Sequence, residues 1–195
     1  MATGESFAAV VLAAGQASRF GGGKLLAVYA GRPLLHHALA AAKAAPVGEV
    51  VVVTGADAEA VAACAHAFDP ALRMVYAPDH AEGMSASLRA GVAALSPAAG
   101  AFIFLGDMPR VPHAILPALA DAVRGGAMAA APEFAGRRGN PVLLSQALFP
   151  VVGDLRGDTG ARALLQGLGP ALARVETDGE GVLFDVDQPS DLARR

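Results

Sequence analysis

Short apolar runs, many of them rich in β-branched residues, alternate along the chain with longer segments rich in alanine and leucine. The short runs have the length and composition of buried strands, and the longer segments are typical of helices. The predicted strands are residues 7–14, 49–54, 72–77, 101–105, 127–131, 142–144 and 182–186. The predicted helices, with their capping residues, are 33–45, 57–68, 83–95, 112–124 and 158–167. This alternation predicts an α/β fold with a Rossmann-like, doubly wound, mostly parallel sheet and helices on both faces.

The first predicted strand leads directly into a glycine-rich loop. Residues 15–24 contain four glycines and two cations, Arg19 and Lys24. Glycine allows positive φ and close approach, so successive N–H groups can converge on an anion, and the two cations add positive charge. The loop matches neither the Walker A spacing nor the dinucleotide-binding GxGxxG spacing. We interpret it as a polyphosphate-binding loop of another kind; an ordinary flexible turn is the alternative.

Carboxylates follow two other predicted strands. Asp107 lies in the turn that ends strand 101–105, while Asp185 and Asp187 lie at the end of strand 182–186. Ligands of open α/β sheets bind at the carboxyl ends of strands, and Mg²⁺ prefers oxygen ligands. Asp107 and Asp187 are therefore candidates to hold a metal ion against a triphosphate. Taken singly, Asp107 could also be a turn residue, and Asp187 could cap a helix. Asp185 and Asp187 point to the same side of the predicted strand, so only the position of Asp187 at the strand end favours it over Asp185.

Three further polar stretches are candidates for substrate contacts. Residues 83–87 open a predicted helix with N–H groups and two hydroxyls that suit an anion, a ribose or a base edge. The alternative is that Ser85 is simply an N-cap. Residues 137–140 form a polar loop that faces a second substrate or is merely solvated. Residues 157–162 form a glycine-flanked helix start that is either part of a site or a plain capped helix.

Other side chains that often carry chemistry do not assemble into a site. The histidines show no metal-ligand spacing, and no Ser/His/Asp set with an elbow sequence is present. The single cysteine, Cys64, lies in a helix-like run and suits a buried, inert thiol.

Composition bounds the class of protein. A chain of 195 residues with 54% hydrophobic residues fits one domain with a sizeable core. A net charge of −3 implies no general affinity for nucleic acid or for an anionic membrane. No signal-peptide pattern and no membrane-length apolar window is visible. We therefore expect a soluble cytoplasmic protein, and a monomer because no long exposed apolar helix suggests an interface.

Taken in order, these stretches resemble one family, the MobA-like nucleotidyltransferases that activate the molybdenum cofactor. The resemblance runs almost from end to end and depends on all of the stretches together. They are residues 12–15, 18–21 and 24, 83–88, 106–109, 139–142, 157–162 and 185–187, with Pro189 and Asp191. The resemblance implies a nucleotide-diphospho-sugar transferase-like version of the α/β fold.

The resemblance also implies a reaction. Leu-Ala-Ala-Gly at 12–15 and Gly-Met-Ser at 83–85 are similar to the cytidylyl branch of the family. That branch transfers CMP from CTP to the terminal phosphate of molybdenum–molybdopterin and releases pyrophosphate, with Mg²⁺ as cofactor. A molybdenum hydroxylase would be the recipient of the product. The attacking phosphate is already anionic, so no strong general base is required, which agrees with the absence of a histidine cluster.

Individual roles follow from the same resemblance. Arg19, Lys24 and Asp107 would be catalytic, and Asp107 and Asp187 would bind Mg²⁺. The nucleotide would be bound by Leu12, Ala13, Ala14, Gly15, Arg19, Lys24, Met84, Ser85 and Ser87. The acceptor would be bound by Asn140, Asp158 and Arg162. Gln188, which stands where the family often has Thr, is a small departure.

Four other functions stay open. A nucleotidyltransferase of the same fold could use GTP or another small phosphate acceptor, such as a sugar phosphate, and only the second half of the chain argues against it. An oxidoreductase should show a dinucleotide loop, which the glycine spacing does not match. A non-catalytic escort of a molybdenum hydroxylase would not need two metal carboxylates and Lys24. A nucleotide-binding regulator would bind CTP without turnover.

Overall fold

A computed structural model of the protein describes residues 6–17, 19–158 and 160–194. Its strands are β1 (Phe7–Ala13), β2 (Val28–Tyr29), β3 (Arg32–Pro33), β4 (Val47–Thr54), β5 (Arg73–Tyr76), β6 (Gly100–Leu105), β7 (Ala129–Phe134), β8 (Arg137–Arg138), β9 (Val142–Ser145) and β10 (Leu172–Glu176). Its α-helices are α1 (Leu34–Ala44), α2 (Ala58–Phe68), α3 (Met84–Ala93), α4 (Ile115–Arg124), α5 (Phe149–Gly153) and α6 (Arg162–Gly167).

The main sheet has the order β10-β7-β9-β6-β1-β4-β5, with β8 paired to β7. The neighbours β10 and β7, and the run β6-β1-β4-β5, are parallel. Strand β9 is antiparallel to both of its neighbours. A separate antiparallel hairpin joins β2 and β3. The predicted α/β class with a mostly parallel sheet is confirmed.

Strand β1 shows how the apolar pattern builds two cores. Its residues alternate between the faces of the sheet, so that Val11 packs into one core and Val10 into the other, and both are fully buried. Helices α1, α2 and α4 cover the first face, whereas α3, α5 and α6 cover the second. Because both faces of β1 are covered, both sets of alternating side chains must be apolar, and this explains the unbroken apolar run in the sequence.

The predicted strand at 182–186 is wrong. Residues Glu180–Leu183 form a 3-10 turn, and residues 184–187 continue without regular structure. Val182 and Val186 are nevertheless fully buried, and Val186 packs with Tyr29, Leu34 and Phe184 in a small third core. The apolar residues therefore reflect burial against loops and the β2–β3 hairpin, which the sequence pattern alone does not distinguish from strand pairing.

The last strand of the sheet is β10, which was not predicted. It is an edge strand whose Arg174 and Glu176 are exposed, so it lacks a continuous apolar run. Helix α5 and the β2–β3 hairpin also escaped prediction because they are short. Among the described residues, no helix has both the length and the apolar character needed to cross a membrane.

Two capping predictions are also corrected. Helix α6 begins at Arg162, and Asp158 does not cap it. The Asp158 carboxylate instead accepts a hydrogen bond from the N–H of Met84, at the start of α3. Asp57 precedes α2 as predicted but makes no side-chain capping bond.

Candidate active site

The loop after β1 is shaped by its glycines. Gly21, Gly22 and Gly23 have φ values of 89°, 94° and 63°, in the region where side chains are strained. The N–H groups of Phe20, Gly21 and Gly22 converge on the carbonyl oxygen of Ala17, at 3.0, 3.1 and 3.3 Å. In this structure these three N–H groups are therefore bound to a backbone carbonyl oxygen of the loop itself, and anion binding by the loop stays a prediction. Ser18, which belongs to the same motif, lies outside the described residues.

Lys24 lies between the two carboxylates predicted to bind metal. Its Nζ is 2.7 Å from Asp107 Oδ2 and 3.9 Å from Asp187 Oδ1. Arg19 Nη1 lies 3.5 Å from the other oxygen of Asp187. The Lys24 and Asp107 side chains are only 13% and 23% exposed, so their attraction is screened less than that of a surface pair. The chain brings these four groups together from three distant segments.

The carboxylates are held in place by backbone contacts. Asp107 lies two residues after the end of β6, and its carbonyl oxygen accepts a hydrogen bond from Val186 N–H at 3.1 Å. Asp191 Oδ2 accepts from the N–H groups of Asp187 and Gln188, at 3.0 and 2.9 Å. These two hydrogen bonds lower the pKa of the Asp191 carboxyl, and the one from Gln188 N–H has the larger effect. Asp191 therefore fixes the turn that presents Asp187 to Lys24.

Asp185 adds a third negative group to this corner. Burial raises its pKa, and the nearby charges of Asp107 and Asp187 raise it further. Between Asp185 and Asp187, Asp187 is the one within 4 Å of Lys24.

The two carboxylates fit a hard cation. The Lys24 ammonium stands in for such an ion, because it contacts oxygens of both Asp107 and Asp187. Within the described residues, no group of three or more His, Cys, Asp or Glu side chains could hold a metal. Two protein oxygens suit Mg²⁺, which retains waters and shares its remaining positions with substrate phosphates.

A first cavity of about 510 Å³ extends from these charges along the ends of β1 and β6. Its lining residues are Leu12–Ala17, Gly23–Leu26, Asp57, Val61, His80–Met84, Ser87, Leu105, Asp107 and Asp158. Of the residues predicted for the nucleotide, all but Arg19 and Ser85 line it. The Arg19 side chain is 79% exposed beside Asp187. Ser85 is fully buried, and its hydroxyl donates to Arg156 O at 3.3 Å.

His80 is a residue of this cavity that the sequence analysis missed. Its Nδ1 lies 3.0 Å from the carbonyl oxygen of Ala77, which only accepts, so Nδ1 carries the proton. A Cβ at Gly55 would lie 2.7 Å from the His80 ring, so the glycine lets the ring lie against the backbone. The position of His80 just before the 83–88 motif was the available signal.

A second cavity of about 590 Å³ adjoins the first. Its apolar lining residues are Leu12, Met84, Leu88, Ile103, Leu105, Val142, Ala161 and Leu165. Its polar lining residues are Arg137, Arg138, Asn140, Asp158, Arg162 and Gln166. All three residues predicted to bind the acceptor are among them, and Thr159 of the same motif lies outside the described residues. Leu12, Met84, Leu105 and Asp158 line both cavities.

The arginines of the second cavity differ from most others in the protein. Within the described residues, Arg137, Arg138 and Arg162 form no ion pair with a carboxylate. Those that do form one are Arg19, Arg73, Arg89, Arg110, Arg124, Arg174 and Arg194. Burial lowers the pKa of Arg138, and the positive charges of Arg162 and Arg174 lower it further. This concentration of positive charge suits an anionic ligand.

Comparison with known proteins identifies the family of the chain. Residues 9–175 match the family model of the MobA-like NTP transferase domain. The chain belongs to this family. It is 32% identical over 194 residues to nicotine blue oxidoreductase of Paenarthrobacter nicotinovorans, covering 95% of this chain and 94% of that one. It is 33% identical over 202 residues to the purine catabolism protein PucB of Bacillus subtilis, covering 95% of each.

A solved relative shows the same fold. The crystal structure of Rv0371c from Mycobacterium tuberculosis H37Rv superimposes with a TM-score of 0.83 at 29% identity, covering 97% of this chain and 96% of that one. Rv0371c has also been solved in complex with manganese, and that structure has a TM-score of 0.78 at 29% identity, covering 91% of this chain and 90% of that one. The nucleotidyltransferase family and the expected fold are thus confirmed, and a related protein binds a divalent metal.

Proposed function

We propose that this protein is a molybdenum cofactor cytidylyltransferase, which transfers CMP from CTP to the terminal phosphate of molybdenum–molybdopterin. The observation that carries the proposal is the contact of Lys24 Nζ with both Asp107 and Asp187, at 2.7 and 3.9 Å, beside the glycine loop. This arrangement offers a cation site and a phosphate-binding lysine at one end of the first cavity. A triphosphate and its metal ion need both.

In the proposed reaction the loop, Arg19 and Lys24 bind the triphosphate in the first cavity. An oxygen of the acceptor phosphate attacks the α-phosphorus of CTP in line, and a new P–O–P linkage forms. The bond between the α-phosphorus and the bridging oxygen to the β-phosphate breaks, and pyrophosphate leaves with its electron pair. The acceptor phosphate is already ionised, so no side chain has to remove a proton.

Asp107 and Asp187 would hold Mg²⁺ in this site. When bound, the ion supplies positive charge that neutralises the transferred and leaving phosphates. Lys24 and Arg19 must then exchange their carboxylate partners for phosphate oxygens. Their long side chains permit this exchange without a change of the sheet.

The acceptor is assigned to the second cavity, whose arginines match a phosphate. A guanidinium binds phosphate oxygens through two parallel N–H donors. The apolar lining, with Leu88, Ile103 and Val142, suits the flat body of a pterin. The choice of CTP depends on Leu12–Gly15 and on residues 83–85, whose pattern resembles the cytidylyl branch.

A second candidate function comes from one relative's name. Nicotine blue oxidoreductase shares 32% identity with this chain over nearly its whole length, which favours an oxidoreductase or a protein that serves one. The glycine loop argues against redox catalysis by this chain, because its spacing does not match a dinucleotide fingerprint. An escort protein need not catalyse, so it would not need the two carboxylates and Lys24.

A pyrophosphate assay tests the proposal. The purified protein is incubated with Mg²⁺, molybdopterin-type cofactor and each of the four NTPs. Pyrophosphate release with CTP alone, lost in Asp107→Ala, supports the proposed reaction. The matched control is Asp121→Ala, since Asp121 is 73% exposed on α4 and pairs only with Arg124 among the described residues.

The other outcomes each overturn a defined part of the proposal. Release with GTP instead of CTP supports nucleotidyl transfer and rejects CTP as the nucleotide donor. Release only with sugar phosphates in place of the molybdopterin-type cofactor rejects the acceptor. No release despite measurable binding of an NTP rejects catalysis and favours the escort or regulator.

A further inference from the structure

Four consecutive residues, 155–158, bind the first turns of α3. Arg89 Nη1 donates to Leu155 O at 2.6 Å, and the hydroxyl of Ser85 donates to Arg156 O at 3.3 Å. Ser85 N–H donates to Gly157 O at 3.1 Å, and Met84 N–H donates to Asp158 Oδ1 at 3.1 Å. Each of the four residues thus supplies one acceptor to the same helix.

Two glycines allow this close contact. A Cβ at Gly83 would lie 2.8 Å from Asp158 Cα and from the carbonyl group of Gly157, and Gly83 has a φ of 117°. A Cβ at Gly160 would lie 2.7 Å from Met84 Sδ. At Gly83 the close atoms belong to the backbone, so a side chain there would displace the turn from α3, whereas at Gly160 the close atom belongs to the flexible Met84 side chain.

The contact leaves the start of α3 closed to an anion. The N–H groups of Met84 and Ser85 are bound to the 155–158 turn, and Ala86 N–H donates to Gly83 O at 3.1 Å. The expectation that these N–H groups receive a substrate anion is therefore not met in this structure. The side chains of Met84 and Ser87 are what α3 presents to the first cavity.

Met84 stands between the two cavities. Met84 lines both of them, and the residue is 39% exposed. Of the four residues that bind α3, Asp158 also lines both cavities, and its Oδ1 accepts the hydrogen bond from Met84 N–H. A methionine is flexible, so its position at this boundary depends on how its backbone is fixed.

We propose that Asp158 is a positioning residue of the nucleotide site, which acts by holding Met84 at the wall that both substrates share. This assignment rests on the proposed nucleotidyl transfer and changes one role within it, because Asp158 was expected to bind the acceptor. Its carboxylate also opposes the positive end of the α3 dipole, which strengthens the anchor.

Nucleotide binding by two variants of Asp158 separates the two roles. Asp158→Ala removes the hydrogen bond, whereas Asp158→Asn keeps a carbonyl oxygen that can accept it and loses the charge. We expect Asp158→Ala to weaken CTP binding about tenfold, the loss of one strong hydrogen bond, and Asp158→Asn to restore most of the affinity. Asp154→Ala, another exposed carboxylate four residues away, is the control and should bind CTP as the wild type does.

A double mutant tests whether Asp158 acts through Met84. If it does, Asp158→Ala has little further effect on CTP affinity once Met84→Ala is present. Additive effects of the two changes overturn the proposal. So does a result in which both Asp158 variants leave CTP binding unchanged and raise only the KM of the acceptor, because that is the pattern of a direct acceptor contact.

A readout without substrate keeps this inference separate from the proposed function. The protein has five methionines, so methyl NMR of methionine resolves Met84, assigned by its loss in Met84→Ala. Asp158→Ala should shift the Met84 methyl signal, Asp158→Asn should return it towards the wild-type position, and Asp154→Ala should not move it. An unshifted Met84 signal in folded Asp158→Ala overturns the positioning role. If the wild type binds no NTP, the proposed function fails while this measurement still decides the inference.

Discussion

The two cavities of this protein handle charge in opposite ways. At the first, Lys24 and Arg19 are paired with Asp107 and Asp187, so the cations and carboxylates neutralise each other before any ligand is present. At the second, the three arginines have no described carboxylate partner. A site for a metal–triphosphate must bind both signs of charge, whereas a site for an anion needs an excess of positive charge, which the three arginines provide over Asp158 in the second cavity.

This difference predicts different responses to mutation. Removing one member of the first cluster leaves its partners unbalanced and disturbs both metal and phosphate binding. Removing one arginine from the second cavity relieves repulsion between like charges, so it should weaken ligand binding while leaving the fold intact.

The largest effect is expected for Asp107→Asn. This change removes one of two carboxylates proposed to hold the metal and leaves Lys24 with Asp187 at 3.9 Å. We expect kcat for pyrophosphate release to fall about 10³-fold. Asp121→Asn on α4 is the control, and residual activity within a few fold of the wild type in Asp107→Asn would contradict the metal assignment.

Lys24→Met should come next, with kcat/KM for CTP about 10²-fold lower. In the nucleotide-free protein the same change removes the cation that occupies Asp107 and Asp187. Binding of Mn²⁺, measured by electron paramagnetic resonance without nucleotide, should therefore become several-fold tighter. Lys43→Met, which breaks the exposed pair with Asp69, is the matched control. Weaker Mn²⁺ binding in Lys24→Met would show that Lys24 and the metal do not share these carboxylates.

Arg138→Ala tests the second cavity. We expect the KM of the acceptor to rise about tenfold or more, with the KM of CTP unchanged, because a guanidinium–phosphate pair is lost. Arg138→Lys should recover only part of this loss, since an ammonium cannot make the two parallel hydrogen bonds. Arg124→Ala is the control for removing a paired surface arginine. An equal rise in both KM values would argue against two separate sites.

Arg19→Ala should have the smallest effect. Its contact with Asp187 is 3.5 Å long, and its side chain is 79% exposed, so the ion pair contributes little in water. We expect thermal stability to stay the same and the KM of CTP to rise only about two- to fivefold. A KM for CTP that does not rise at all in Arg19→Ala would contradict the proposed move of Arg19 from Asp187 onto the phosphates.

The sequence predicted well where a local pattern has one structural outcome. The apolar run at 7–14 predicted a buried strand, and β1 is a strand covered on both faces. The sequence failed to predict the structure where one pattern fits both a strand and a loop. Val182 and Val186 are apolar because they are buried by loops, and β10 alternates like an exposed edge, so neither pattern distinguished strand from loop.

The sequence by itself determined the α/β alternation, the glycine loop and the residue types at the ends of β1 and β6. Only the tertiary structure brought Lys24 against Asp107, 83 residues away, and against Asp187 near the end of the chain. It also turned Asp158 from the cap of its own helix into a partner of Met84 on another. Periodicity indicates which side of an element is buried, because the apolar pattern reflects the burial of that element's own residues. It does not report which distant groups meet, because that depends on how strands order in the sheet and how loops fold across their ends.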